Sequence, residues 1–294
     1  MAVEAPVSRD ELLRAFKGAF VLPENVRQER SKPRASALAS CARQQAYDMA
    51  GVEHDAIGTA GSRLTLDSDL TAEQGRAFEE LMIRTLMERD LYVVGTQAGL
   101  PEYYPVSGHP DGELSLATGG DTPPTMGSLL QDGRLWGVEF KHLGRYGYLK
   151  TIQKGLRAAH PNYILQAGLY GDALGWDAVL FIVSSQDASS IRAEATNSLR
   201  RKTNRWAEDV KDWHPKLHIE TMEIREVASG LLPVAKARAR WLTNWKEHDG
   251  VPKYVAREYD PTSGQFPCTY CPYLSRCLDD GDGGREAPQL PFKM

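Results

Sequence analysis

Residues 133–143 read GRLWGVEFKHL, a stretch that has the character of a strand. Side chains on a strand alternate between its two faces. Glu139 and Lys141 therefore project together, while Val138 and Phe140 point the other way. A carboxylate and an ammonium side by side on an inner face are costly to bury unless they act on something. E-x-K alone is common, and its usual occurrence is a surface salt bridge, so its weight comes from what flanks it.

Upstream, GHPDG closes a turn at Asp111, where a neighbouring strand begins. Carboxylates from adjacent strands can share a hard cation such as Mg²⁺ or Mn²⁺. A lysine beside them can orient or deprotonate a water and balance the charge of a phosphate. Hydrolysis of a phosphodiester needs that set. Downstream, HPNYILQAGLYGDALG reads as a helix with Pro161 in its first turn and Gly175 just past its end. Gln166 and Tyr170, four residues apart, share one face of it.

Farther out, residues 9–20 and 36–50 read as helices, the second carrying Cys41. TAEQGRAFEELMIRTLMERD is a helix with a capping box at Thr71 and Gln74 and an apolar face of Phe78, Leu81, Met82, Thr85 and Leu86. LYVVGTQAGLPEYY and VSGHPDGELSLA supply strands, the second after a turn, and TGGDTPPTMGS is a loop. WDAVLFIVSS, continuously apolar, is a buried strand, and KLHIETMEIREV alternates as another. LLPVAKARARWLTNWKEH is a long helix, and the glycine-rich acidic tail from Asp279 is expected to fray. Three strands run consecutively before the second core helix, which argues for a mixed α/β core rather than a doubly wound sheet. The expected division is a helical segment over 1–70, a core over 71–230 and a C-terminal helix and cysteine segment over 231–294, all in one structural unit.

The 294 residues carry a net charge of −4, which argues against wholesale coating of nucleic acid. Charge is uneven, however. Residues 140–171 contain no acid but include Lys141, Arg145, Lys150, Lys154 and Arg157. Arg30, Lys32, Arg34 and Arg43 precede Asp48, and LRRKTNRW is a third basic cluster. Each can be a solvated face; together they suit local phosphate binding. Nothing is long and apolar enough to span a bilayer, and the N-terminus has no signal-like apolar region, so the expectation is a cytoplasmic protein with no membrane partner. Its four cysteines, Cys41, Cys268, Cys271 and Cys277, are then more naturally reduced than paired.

The series G-x-x-x-E, G-H-P-D-G, E-x-K and Q-x-x-x-Y, with Cys41 ahead of it and C-x-x-C-P-x-x-x-x-C behind, resembles the PD-(D/E)XK nuclease superfamily. It is most similar to the RecB-like branch that includes the CRISPR-associated four-cysteine exonucleases and phage-type relatives. The resemblance covers roughly residues 35 to 280. It implies a restriction-endonuclease-like α/β fold, a mixed central sheet flanked by helices, with the N- and C-terminal helical segments joined by a four-cysteine cluster. It implies a metal-dependent deoxyribonuclease, an exonuclease acting on single-stranded or linear DNA ends in a bacterial host cell. Asp111, Glu139 and Lys141 would be catalytic, with Glu79 as a further carboxylate; Glu79, Asp111 and Glu139 would hold Mg²⁺ or Mn²⁺. Gln166, Tyr170, Arg43, Arg145, Lys150 and Lys154 would support DNA, helped by the interleaved Tyr146 and Tyr148. Cys41, Cys268, Cys271 and Cys277 would ligate a structural 4Fe–4S cluster, with Zn²⁺ as the alternative that spacing alone does not separate. Partners would be DNA and recombination or CRISPR-adaptation proteins. One departure stands out: many members of the branch carry a histidine where this chain has Phe78. That motivates a second reading, a DNA-binding or scaffold subunit with weak catalysis.

Overall fold

The computed structural model describes residues 29–53, 66–88, 91–94, 98–116, 133–185, 217–263, 268 and 271–292. Strands β1 (Leu91–Val94), β2 (Gly112–Leu116), β3 (Trp136–Leu143), β4 (Ala178–Ser185) and β5 (Leu217–Glu223) form one sheet in chain order. All neighbours are antiparallel except β3 and β4, which run parallel from Trp136↔Ala178 to Leu143↔Ser185. Among the described residues the flanking helices are α1 (Ala42–Met49), α2 (Leu66–Met87), α3 (Arg145–Lys154), α4 (Leu156–Ala159), α5 (Pro161–Leu174), α6 (Arg225–Ala228), α7 (Leu231–His248) and α8 (Leu274–Asp279). The chain is therefore α/β with a mixed five-stranded sheet. A hairpin cannot join parallel neighbours, so the chain between β3 and β4 crosses over as α3, α4 and α5.

Alternation along β3 decides what each face holds. Trp136, Val138 and Phe140 join Ala178, Leu180 and Ile182 in a layer packed by Phe78, Met82, Ile83 and Leu86 of α2. On the other face Val179, Phe181 and Val183 share a core with Ile164, Leu165 and Leu169 of α5 and Leu232, Ala239 and Leu242 of α7. Leu165 and Leu169 are fully buried, each burial contributing about 1.5–3 kcal/mol. This second core also takes in Ala35, Leu38, Ala42, Val255 and Ala287, so the segments around 35–42 and 255–287 close over the α5 side. Glu139 pairs in register with Phe181, and Lys141 with Val183, which sets both charges on this side.

Several local expectations are corrected. Helix α2 spans Leu66–Met87, so Thr71 and Gln74 lie within it rather than at its N-terminus; Leu81 and Thr85 are exposed, and Ile83 packs instead. Strand β1 ends at Val94, and Leu100 to Tyr104 form a loop tied by Leu100 N–H to the Gly108 carbonyl (3.2 Å). Cys41 is the N-cap of α1, preceded by a 3₁₀ turn, rather than a residue within a helix. The acid-free stretch after β3 is helical because the crossover requires it. The tail does not fray: Arg285 N–H donates to the Tyr254 carbonyl (2.7 Å), Ala256 N–H to the Arg285 carbonyl (2.9 Å), and Ala287 is buried. The helix expected over 9–20, the loop over 118–128 and the basic cluster over 199–206 lie outside the described residues.

One ion pair fastens α5 to its surroundings and makes stability depend on acid. Tyr104 Oη donates to Asp172 Oδ2 at 2.6 Å, and Lys236 Nζ of α7 donates to the same oxygen at 2.8 Å. Partial burial works against the charge, but the Lys236 and Tyr104 hydrogen bonds outweigh it and hold the Asp172 carboxyl below its ordinary value. A carboxylate with a depressed folded-state pKa contributes stability that is complete above the unfolded value and is lost as the pH falls through the folded one. Asp172→Asn is therefore expected to cost about 1–2 kcal/mol at pH 7 and to flatten the fall in stability below about pH 4. Thermal unfolding of both proteins between pH 3 and pH 7 checks this; an unchanged acid limb would show that Asp172 carries none of it.

Candidate active site

The D-G turn sets the site's first carboxylate. The β2–β3 ladder runs from Leu114↔Trp136 to Gly112↔Val138 and stops there. The next rung is made by a side chain: Phe140 N–H donates to Asp111 Oδ2 at 2.7 Å. Asp111 is thus held by the backbone of the strand that carries Glu139 and Lys141. Gly112, with φ of 154°, takes a backbone conformation that a Cβ would forbid, which lets the carboxylate turn back onto β3.

Glu139 is completely buried. Lys141 Nζ donates to Glu139 Oε2 at 2.5 Å and lies 3.9 Å from Asp111 Oδ2. The second oxygen, Glu139 Oε1, is buried and has no hydrogen-bond partner among the described residues. Burial pushes the Glu139 carboxyl up to about 7; Lys141 opposes this, while the charges of Asp111 and Glu79 add to it. For Lys141, burial alone would lower the pKa, but Glu139 and Asp111 overcome it and hold the ammonium above the ordinary lysine range. One ammonium thus faces several carboxylates, with an orphaned carboxylate oxygen among them. Unsatisfied buried oxygens of this kind are rare and expensive, and a second cation is what the arrangement would favour electrostatically.

Helix α5 closes the site from the opposite side. Tyr170 is buried and accepts from Gln166 Nε2 at 3.3 Å. A Cβ on Gly108 would stand 2.8 Å from the Tyr170 ring, so the GHPDG turn rests directly on that ring. Burial, and after it the Glu139 charge, push the Tyr170 phenol up to about 12, which leaves it a neutral donor. Tyr163, one turn before Gln166, was not singled out in the sequence, although its spacing to Gln166 and Tyr170 is that of one helix face. Its ring centroid lies 5.5 Å from Lys141 Nζ.

The remaining candidates divide. Glu79 is half-buried on α2 and its charge reaches Glu139. Phe78, in the place of the branch's histidine, packs edge-on against Phe140 (6.5 Å) and stacks on His142 (5.4 Å), so it belongs to the core. His109 is an exposed turn residue. Lys154 is exposed, Lys150 donates to the Ala159 carbonyl at 2.8 Å, and Arg145 is half-buried. Arg43 is corrected as a DNA contact: it is buried, and its guanidinium donates to the carbonyls of Val255 (2.6 Å), Gly281 (2.7 Å), Gly283 (2.6 Å) and Lys253 (3.1 Å). Tyr148 is corrected in the same way, being fully buried, while Tyr146 is 85% exposed and free to meet a ligand.

The four cysteines are free thiols that line one cleft with Arg43, Tyr47, Arg257 and Tyr259. The C-terminal three are spaced by turns, with Cys271 N–H on the Cys268 carbonyl (3.0 Å) and Cys277 N–H on the Tyr273 carbonyl (2.8 Å). Burial raises the Cys41 thiol and pushes Cys271 up to about 12; it also raises Cys268, to which the neighbouring Cys41 and Cys277 add. An all-sulfur set is the donor chemistry of Zn²⁺ or an iron–sulfur cluster. Among the described residues, no group of three or more His, Cys, Asp or Glu side chains is arranged so that it could hold a metal ion. Among those residues, too, no helix is long and apolar enough to cross a membrane.

No family model matches the chain, and no curated protein is similar to it in sequence. Among solved structures it is similar to an alkaline exonuclease, LHK-Exo, from Laribacter hongkongensis, at 16% identity over 74% of this chain and 94% of that one, with a TM-score of 0.34. The complex of LHK-Exo with dAMP matches over the same shares, also at 16% identity, with a TM-score of 0.35. A likeness of that size carries no weight for the site, whose reading rests on its own residues.

Proposed function

We propose that the chain is a divalent-cation-dependent deoxyribonuclease acting on linear DNA, an exonuclease that takes single-stranded ends. The observation that carries this reading is the buried Glu139, with Lys141 Nζ 2.5 Å from one oxygen, no partner on the other among the described residues, and Asp111 facing the same ammonium at 3.9 Å. Glu139, Asp111 and Glu79 would hold Mg²⁺ or Mn²⁺, and the orphaned oxygen supports that fit. A cation bound there supplies a Lewis acid for a phosphoryl oxygen and a water of lowered pKa.

The chain's own residues do the rest. Lys141, hydrogen-bonded to Glu139 and facing Asp111, presents its remaining N–H groups to a water or to the developing negative oxygen. Asp111 is anchored through Oδ2 on Phe140 N–H. The Gln166 and Tyr170 pair fixes the turn that delivers Asp111 and offers neutral donors to a phosphate. The exposed Lys154 and Tyr146 of α3 provide a cation and an aromatic face beside the strand that carries Lys141. The four thiols would hold a 4Fe–4S cluster or Zn²⁺, stapling α1 to the C-terminal segment, because a link across so long a loop limits the unfolded chain strongly. Phe78 favours the second reading, a DNA-binding or scaffold subunit, since its place offers no ligand.

End-labelled single- and double-stranded linear DNA, with Mn²⁺, with Mg²⁺ and with EDTA, tests the proposal on anaerobically purified protein. The expected result is stepwise shortening that requires the divalent ion and is inhibited steeply by salt. Protein that binds DNA but never cuts it with either ion overturns the enzyme reading and leaves the scaffold one.

A further inference from the structure

Lys141 is gripped from a third direction that no motif in the sequence marks. Its Nζ has Glu139 Oε2 at 2.5 Å and Asp111 Oδ2 at 3.9 Å, and the Tyr163 ring centroid at 5.5 Å. The ring itself is braced. His160 packs on it with centroids 5.1 Å apart and planes inclined by 30°. His160 Nε2 in turn donates to the Gly147 carbonyl at 3.0 Å, which fixes the imidazole tautomer. A Cβ on Gly147 would lie 3.5 Å from the imidazole, so α3 and the start of α5 meet closely here. The result is a column running from the ammonium through the phenol ring and the imidazole to the α3 backbone. A ring face within about 6 Å of an ammonium attracts it, more strongly where water is excluded. Carboxylates alone would hold Lys141 by charge, but a four-carbon stem leaves the ammonium several rotamers in which to satisfy them. The ring removes the side on which it would otherwise swing away.

We infer that Tyr163, backed by His160, is a positioning residue that pins the Lys141 ammonium against Glu139 and Asp111. This rests on the proposed role of Lys141 for its effect on rate, but the pinning itself is independent of any activity. It acts through the ring face, so the phenol hydroxyl is dispensable.

The test has one arm for each part. In protein labelled with ¹³C-lysine, the Lys141 Hε resonance, identified by its loss in Lys141→Arg, is expected upfield of the other lysines through the ring current of Tyr163. That displacement should persist in Tyr163→Phe and vanish in Tyr163→Leu. In the divalent-dependent cleavage assay, Tyr163→Leu is expected to lower kcat about tenfold with KM unchanged, and Tyr163→Phe to restore it. A Lys141 signal at the ordinary lysine position in the wild-type protein overturns the inference even if the leucine variant fails to fold. So does a signal, or a kcat, that Tyr163→Leu leaves unchanged. If the wild-type protein shows the upfield signal but never cuts DNA, the nuclease reading falls and the pinned ammonium stands.

Discussion

Glu139→Gln is expected to lower divalent-dependent DNA cleavage by at least about 100-fold while making the protein more stable above neutral pH. The activity part follows from what the side chain offers. Its two oxygens stand at the only fully buried carboxylate among the described residues, one on Lys141 at 2.5 Å and one without a partner. An amide of the same shape keeps the packing and removes both the cation's ligand and the charge that orients Lys141. Losing a positioned charged group of this kind typically costs 10²- to 10⁴-fold in rate. The stability part follows from the sign of the shift. Burial first, with Asp111 and Glu79 adding, places the folded-state pKa at about 7, above the ordinary value of 4.5. A group raised in the folded state stabilises it fully below the unfolded pKa, and that contribution is lost as the pH rises through the folded one. Without a divalent ion the wild type should therefore weaken between about pH 4.5 and pH 7 in a way the glutamine variant does not. A cation should restore the wild type alone. Thermal unfolding from pH 5 to pH 8 with EDTA or Mn²⁺, beside single-turnover cleavage, reads both. A variant that cuts normally removes Glu139 from the site, and one that melts lower than wild type at pH 8 shows that the buried charge was already compensated.

What could be read from the sequence was whatever depends on neighbours in the chain. Alternation along β3 separated Glu139 and Lys141 from Val138 and Phe140, and the sheet keeps them on opposite faces. Pro161 and Gly175 bounded α5 correctly, because a fixed φ starts a helix and a left-handed residue ends it. What was hidden depends on distant chain. An arginine in a basic cluster reads as a surface charge; Arg43 is buried only because carbonyls more than two hundred residues away converge on it. Tyr146 and Tyr148 are indistinguishable by type, yet the turn of α3 sends one to solvent and the other into the core. The tail looked frayed by composition, and it is ordered by partners that its own sequence does not contain.

The same convergence makes Glu258→Ala the most damaging single change expected for stability. Glu258 accepts from Arg238 Nη1 at 2.5 Å and Nη2 at 2.7 Å, from Ala42 N–H at 2.8 Å and from Gln289 Nε2 at 3.2 Å. One carboxylate thereby satisfies the first turn of α1, the middle of α7 and the C-terminal segment, beside Cys41. Arg238 is 1% exposed, and its other acceptors are the carbonyls of Ser40 (2.8 Å) and Pro288 (3.0 Å). Removing the carboxylate leaves a buried guanidinium without its counter-ion, a change that typically costs 3–5 kcal/mol. Against a total stability of about 5–15 kcal/mol that is a large share, and a fall in Tm on the order of 10 °C follows. The pair itself need not be worth that much. Replacing both partners by apolar groups, Arg238→Met with Glu258→Leu, removes the stranded charge and should recover most of the loss. Denaturant unfolding of Glu258→Ala and of the double variant separates the terms. If the double variant is as weak as Glu258→Ala, the loss lies in the α1 cap and the Gln289 contact instead of the uncompensated arginine. If Glu258→Ala costs less than about 1 kcal/mol, the two carbonyls suffice for Arg238 and the carboxylate does not hold α1, α7 and the Gln289 segment together.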